Sequence, residues 1–453
     1  MMMEHSYDVC IIGLGPAGLG AIHELSGSGL ASRTLCLDSG IAAERRSCQI
    51  IKGETCELES PCQMTSGVGG CSVLASGKIS GFPAGSGLAA ALGSKESAKR
   101  KLFQALQVFA QLLPLQETEL SCNPNIAKKR FKKLGFQYRF YPIKTFRQDQ
   151  IVEACGNLVS MAQSSGMSVM LGTEVTKVEN DGKRYRLTAR NHEQEIIISS
   201  KRVILAIGRS GQQLLESLRE SIGLHSDEYH LDAGVRLEFP TESFPNIDES
   251  HKDLKLIFDD ARTFCVCKNG RVAPYRCSNI FLLEGYYNPA FQSGFTNLSI
   301  MVRMEPSKHN HVIFQEIQER VRNLSGGKTV RQLLTDYLDM KKERTVLNPP
   351  SSTHFWQWGD VGSCFPIGLS TRIVKAVDIF VSRLLPKDQW QRSSVFAPEV
   401  DCRLILPIRV GFRLLPGLYA AGDCTGRFRG ILQAFCSGIE CARSLIGDCN
   451  GKY

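Results

Sequence analysis

Three glycines near the N-terminus, Gly13, Gly15 and Gly18, stand where an apolar run, Val9-Cys-Ile-Ile12, gives way to a helix-forming segment holding Leu19 and Leu25. Their spacing suits a pyrophosphate. Gly13 allows a tight turn, Gly15 lets the backbone approach phosphate oxygens with no Cβ in the way, and Gly18 lets the helix pack closely on its strand. Pro16 and Ala17 occupy the first helical turn, whose N–H groups face an anion. A second strand, Arg33-Thr-Leu-Cys-Leu-Asp38, ends in a carboxylate about 20 residues beyond Gly18, where an acidic side chain can accept hydrogen bonds from a ribose. The unit is a complete βαβ dinucleotide fingerprint.

The C-terminal end carries a second clamp. Gly417-Leu-Tyr-Ala-Ala-Gly422-Asp423 reads as a short buried strand ending in a carboxylate, and Gly430-Ile431 opens a helix expected to run to about Ile446. Between the two clamps, Val169–Val178, Tyr185–Arg190, Glu195–Ser199 and Val203–Gly208 read as a β-meander with alternating apolar positions. Its last strand ends in Ala206-Ile-Gly208-Arg-Ser-Gly.

Together these segments resemble the two-domain flavoprotein oxidoreductases with a glutathione-reductase-like fold. The resemblance implies FAD, held at Gly13, Gly15, Pro16, Ala17, Gly18, Asp38, Gly70, Val175, Ala206, Gly208, Gly422, Asp423, Gly430 and Ile431. It places Asp423 on the ribityl chain and aims the helix from Gly430 and Ile431 at the flavin pyrimidine edge, where reduced flavin gathers negative charge. Further segments resemble one branch, the uncharacterised FAD-dependent dehydrogenases related to the HI0933-like flavoproteins. These are Ser66-Gly-Val-Gly-Gly70, Ser76-Gly-Lys78, Gly234-Val-Arg-Leu-Glu238, Arg262-Thr-Phe-Cys-Val-Cys-Lys-Asn-Gly-Arg-Val272 and Ser278-Asn279. The chain departs from that branch at Asp423-Cys-Thr-Gly-Arg427-Phe-Arg429, where a more acidic, glycine-rich motif is expected.

Seventeen cysteines in a chain of 453 residues, an odd number with no leader segment expected, read as reduced thiols that mostly serve as small buried hydrophobes. Cys48, Cys56, Cys62 and Cys71 lack the CxxC spacing of metal sites, and no metal is expected. Cys265 and Cys267, two residues apart on a strand, share a face and could carry redox chemistry. The sequence favours reading them as core thiols that flavin reduction does not need. Lys78, in a glycine turn beyond Gly70, is a candidate for stabilising reduced flavin or an anionic substrate, with a surface lysine as the equally weighted alternative.

The net charge of +9 is concentrated in Lys128-Lys-Arg-Phe-Lys-Lys-Leu-Gly-Phe-Gln-Tyr-Arg-Phe-Tyr141. Basic residues interleaved with aromatics can bind nucleic acid, but the solvated face of a helix running into a strand is favoured here. No apolar run is long enough to cross a bilayer, and the N-terminus enters its first strand almost at once, so a cytoplasmic protein is expected.

The expected fold is α/β: a discontinuous Rossmann-like FAD-binding domain (residues 1–90, 145–213 and 395–453) with a β-meander, a helical cap (91–144) into which the helical run Ala89–Leu113 leads, and a mixed α+β substrate domain (214–394) with helical patterns at His311–Asn323, Val330–Lys341 and Ile373–Leu385. The expected function is an FAD-dependent oxidoreductase that dehydrogenates or reduces a small-to-medium organic substrate by hydride transfer. A flavoprotein acting on nucleic acid, as tRNA-modifying members of the superfamily do, and a non-catalytic flavin-bound scaffold are the alternatives. No second GxGxxG follows in midchain, so the sequence names no electron donor or acceptor.

Overall fold

The computed structural model describes residues 4–58, 60–74, 77–113, 124–191, 194–223, 226–243, 253–288, 290–342, 347–408 and 410–451. Ser76 of the Ser76-Gly-Lys78 segment lies outside these residues.

The apolar run at the N-terminus forms the strand Glu4–Ile12, which sits in the middle of a twisted sheet. It runs parallel to Thr34–Leu37 on one side, with Val9 opposite Thr34, and to Gln194–Leu205 on the other, with Ile12 opposite Leu205. Ser168–Met170 extends the sheet beyond Thr34–Leu37, and Leu418–Ala420 adds in parallel to the end of Gln194–Leu205. Val9, Cys10 and Ile11 are fully buried, as a strand covered on both faces requires. The sheet thus draws strands from both ends and the middle of the chain.

Two expectations for the meander are corrected. The run Val169–Val178 is two elements, Ser168–Met170 in the parallel sheet and Thr173–Asn180 in the antiparallel extension, because Gly172 turns the chain at φ +62°. Glu195–Ser199 and Val203–Leu205 are one strand, Gln194–Leu205, whose first half pairs with Tyr185–Asn191 and whose second half reaches Leu418–Ala420.

A second sheet of eight strands centres on Tyr229–Pro240, flanked antiparallel by Phe295–Ser307 and Ser394–Leu404. Ala261–Cys267 lies beyond Phe295–Ser307, and the hairpin Arg271–Cys277/Ile280–Tyr286 forms a separate pair. The helices His309–Ser325 and Ile367–Leu384 belong to this half.

The segment Val330–Lys341, expected to be helical, is a strand, Val330–Leu333, followed by the short helix Leu334–Leu338. All four strand residues are buried, Arg331 and Gln332 included, and the apolar Val330 and Leu333 stand three apart, a spacing that suits a helix and hides the two-residue alternation of a strand. The helical stretch Ala89–Leu113 is likewise two helices, Ser86–Ala91 and Lys95–Leu112, parted at Gly93 (φ +81°), with the Ser94 hydroxyl accepting from the Ser97 N–H.

Candidate functional site

The glycine turn after Glu4–Ile12 is built for close approach. A Cβ at Gly13 (φ +95°) would lie 2.5 Å from the Ala206 carbonyl oxygen, and one at Gly18 would overlap the Gly13 carbonyl. Gly15 is less crowded, its ideal Cβ position meeting only the Gly70 Cα, at 3.8 Å. Gly15 is also the N-cap of the helix Pro16–Ser26, with no side-chain cap and no acidic residue in the first turn. Its N–H groups are therefore left for an exogenous anion.

Asp38 organises this turn. Its Oδ2 accepts from the Leu14 N–H (2.7 Å), and its Oδ1 accepts from the N–H groups of Gly40 and Gly67 (2.8 Å each). Three acceptances leave a carboxylate one further lone-pair site. Arg46, buried and missed by sequence reasoning, donates to the carbonyls of Val68 (2.8 Å), Gly70 (2.7 Å) and Gln63 (2.6 Å), and so fixes the loop that sets Gly70 against Gly15.

The C-terminal helix, Ile431–Cys449, begins at Gly430 (φ +106°), again with no side-chain cap and no acidic first turn. It crosses Pro16–Ser26 through two glycines: a Cβ on Gly20 would overlap the Phe435 carbonyl, and one on Gly438 would overlap the Ala17 carbonyl. Gly422 abuts the Ala17 side chain, where its own Cβ would lie 2.7 Å away. With Ala434 Cβ 3.8 Å from the same position, Gly422 stands between the first turns of the two uncapped helices. The Gln433 amide in the first turn donates to the Ser80 carbonyl (2.8 Å), tying in the short strand Lys78–Ser80.

Asp423 lies in an ion network that sequence reasoning did not find. It accepts from Arg403 Nη1 (2.6 Å) and Arg209 Nε (3.3 Å). Asp401 pairs with Arg403 Nε (2.8 Å) and with Arg429, and Arg209 also donates to the Tyr275 hydroxyl (2.8 Å). Burial pushes both carboxyls up, but Arg403 first, then the other arginines, more than offset it and hold both below the usual carboxylate range. Three arginines meet two aspartates, and Arg262 and Arg303 nearby share Asp232, so cations are in surplus. The legible signal was Asp401-Cys-Arg403, whose ends share one face of a strand.

Lys78, Cys265 and Cys267, singled out separately in the sequence, come together. Lys78 Nζ lies 2.5 Å from the Val266 carbonyl, 3.5 Å from Cys267 Sγ and 4.0 Å from Cys265 Sγ, with Asp253 Oδ1 at 3.8 Å. The surface alternative for Lys78 does not hold, since its side chain is 6% exposed. The two sulfurs are 3.9 Å apart. Ala261–Cys267 shifts register between Phe264 and Cys267, with Cys265 in the left-handed region at φ +48°, and this bulge turns the thiols toward each other. Cys267 is brought down to about 7, by the hydrogen bond with Cys265 first, then, against burial, by Lys78 and Arg236. Cys265 is pushed up, by its contact with Cys267 and by burial. Burial pulls Lys78 down, but the two thiols and Asp253 hold it above its ordinary value and protonated.

Of the remaining sequence candidates, Val175 is buried in Thr173–Asn180, Ala206 donates to the Ile12 carbonyl (2.8 Å), and Gly208 turns the chain at φ +59°. In the basic segment, Phe131, Phe136 and Tyr138 are buried, so these rings are not available for base stacking, while Lys128, Lys129, Arg130, Lys132 and Lys133 are exposed. Among the described residues no group of three or more His, Cys, Asp or Glu could hold a metal ion, and no helix is long and apolar enough to cross a membrane.

No family model and no curated protein matches the chain. Among solved structures it is similar to a geranylgeranyl bacteriochlorophyll reductase-like protein from Thermoplasma acidophilum (11% identity, 100% of this chain and 81% of that one, TM-score 0.43). It is similar also to NikD, an amino acid oxidase of nikkomycin biosynthesis (14%, 98% and 95%, TM-score 0.40), and to p-nitrophenol 4-monooxygenase from Pseudomonas putida (12%, 100% and 82%, TM-score 0.40). Likeness at this level does not reach the chemistry of the chain, which rests on its own residues.

Proposed function

We propose that the chain is an FAD-dependent oxidoreductase that moves a hydride between the flavin and a small-to-medium organic substrate, dehydrogenating it or reducing one of its double bonds. The observation that carries this reading is the meeting of two uncapped, glycine-opened helix N-termini, at Gly15 and Gly430, with Asp38 and Asp423 at their flanks. When bound, FAD supplies the two-electron chemistry of its isoalloxazine ring.

The part of the chain is to hold and orient. The first turn of Pro16–Ser26, with Gly13, Gly15, Ala17 and Gly18, takes the pyrophosphate, and Gly70 leaves room opposite. Asp38 keeps the turn in shape and offers its remaining lone pair to a ribose. Val175, Ala206 and Gly208 border the same end of the sheet, while Gly422, Asp423, Gly430 and Ile431 serve the ribityl chain and the pyrimidine edge. In this reading residues 1–90, 145–213 and 405–453 form the FAD-binding unit, 91–144 cap it, and 214–404 carry the substrate, since Ser394–Leu404, expected in the FAD-binding unit, pairs with Tyr229–Pro240 in the second sheet. The surplus of arginines around Asp401, Asp423 and Asp232 suits a substrate bearing an anionic group. With one dinucleotide fingerprint in the chain, electrons come from the substrate, from transiently docked nicotinamide or from a partner protein.

Purified protein denatured in acid is expected to release FAD into the supernatant, since no tethering motif is recognised in the chain. FMN, or no flavin after expression with ample riboflavin, overturns the reading. Anaerobic reduction with NADH, NADPH and candidate carboxylate-bearing metabolites then identifies the donor by bleaching of the flavin band.

A further inference from the structure

Cys265 and Cys267 are the described thiols that face each other beside a buried ammonium group, and they do so next to the start of the C-terminal helix. Two tethers fix that position. Phe264, adjacent to Cys265, carries the Arg429 guanidinium 4.0 Å above its ring, and Arg429 immediately precedes Gly430. Lys78 lies two residues from Ser80, whose carbonyl accepts from Gln433 in the first helical turn. We propose that Cys265 and Cys267 form a redox-active dithiol, with Lys78 as the counter-ion of the Cys267 thiolate, that exchanges two electrons with the bound flavin. This rests on the FAD reading above and reverses the expectation of inert core thiols.

The geometry suits the reaction. A thiolate is the reactive form, and a neighbouring lysine favours it. The sulfurs must close from 3.9 Å to a bond of about 2 Å, a movement within reach of side-chain rotation and relaxation of the bulge. Room for approach is kept by Gly285, where a Cβ would lie 2.6 Å from Cys267 Sγ. A disulfide between residues so close in sequence is strained and therefore oxidising, so it readily accepts two electrons from reduced flavin. In the oxidative direction the Cys267 thiolate and the Cys265 thiol form the S–S bond as the single S–H bond, that of Cys265, is lost. The two electrons and that one proton go to oxidised flavin, leaving its reduced form anionic, and the reverse step returns them to give back the Cys265 thiol and the Cys267 thiolate beside Lys78. Cys267 is fully buried and Cys265 is 9% exposed, which favours an internal electron partner over a dissolved oxidant.

The test is an anaerobic dithionite titration of holoenzyme that has been oxidised through its flavin with ferricyanide and desalted, with flavin content measured separately by acid release. Wild type is expected to take up four electrons per flavin, and Cys265→Ser and Cys267→Ala two, with peptide mass mapping locating the Cys265–Cys267 disulfide in the oxidised wild type. Lys78→Met is expected to keep the thiols but move the pH profile of Cys267 alkylation upward, a readout independent of turnover and flavin. Two electrons per flavin in wild type with no such disulfide overturns the proposal, as does an unchanged alkylation profile in Lys78→Met. A protein that forms the disulfide but holds no flavin separates the outcomes: it removes the flavin as partner and the FAD reading with it, while the dithiol is still counted at two electrons per chain.

Discussion

Asp423 has two tasks that one substitution separates. Its carboxylate engages Arg403 and Arg209, and in the FAD reading it also serves the ribityl chain. Asp423→Ala is expected to weaken FAD retention by about ten- to a hundredfold, the worth of lost charge-assisted hydrogen bonds, whereas Lys341→Ala at an exposed pair changes little. Melting of the two apoproteins tells ligand binding from structure, since removing one member of a buried pair destabilises the apoprotein too. FAD occupancy equal to wild type in Asp423→Ala would remove the C-terminal clamp. Lys255 gives a second test at this scale. Burial, with Arg262 next, lowers its amine to about 7, below the ordinary lysine value near 10.4. Between those values the unfolded chain binds the proton that the folded chain has released, so the contribution of Lys255 to stability rises with pH across that window. Lys255→Met is accordingly expected to raise the melting temperature at pH 6 and to lose that advantage by pH 10. A gain independent of pH would show that the lysine is not neutralised in the fold.

Among the elements, the glycine turn and the helices Pro16–Ser26 and Ile431–Cys449 were legible because their signals are local, whereas Gln148–Ser164 was not read. Gly13, Gly15 and Gly18 sit at a strand-to-helix junction, and Gly430 opens a periodic helix. What the sequence concealed was non-local. Val330–Leu333 reads as helix because its apolar ends stand three residues apart with Arg331 and Gln332 between them, and the pairing of Val330 with Ala397 that makes it a strand lies far along the chain. The meeting of Lys78 with Cys265 and Cys267 depends on a register shift that no single-strand pattern reveals. The glycine crossing is the element-scale feature with the clearest consequence. Gly438→Ala forces a methyl into the Ala17 carbonyl, so the C-terminal helix must move away from Pro16–Ser26 and carry Gly430 with it. Loss of both FAD retention and stability is expected. Gly156→Ala, in the helix Gln148–Ser164 where a Cβ meets nothing within 4 Å, should instead stabilise by about 0.4–1 kcal/mol through the unfolded chain. If both variants melt alike, the crossing does not set the helix.

For the whole molecule, the ion network is also the joint between the two sheets. Arg403 lies on Ser394–Leu404 of the antiparallel sheet, while Asp423 follows Leu418–Ala420 and Arg209 follows Gln194–Leu205, both of the parallel sheet. Arg209 also reaches Tyr275 on the hairpin. A ligand held between Gly15 and Gly430 sits next to this joint and binds only when both helix N-termini are in place. It therefore stabilises the folded chain by mass action, about 2.7 kcal/mol at a hundredfold excess over its dissociation constant. Adding FAD to wild-type apoprotein is thus expected to raise a single, cooperative melting transition. Arg403→Met leaves Asp401 with Arg429 and Asp423 with Arg209, but cuts the Arg403–Asp423 bridge between the sheets. Its apoprotein is expected to melt lower and over two resolved steps in differential scanning calorimetry, with FAD raising only the step that unfolds the parallel sheet. One unbroken transition in Arg403→Met, shifted by FAD as in wild type, would mean that apolar packing rather than the arginine–aspartate lattice couples the two sheets.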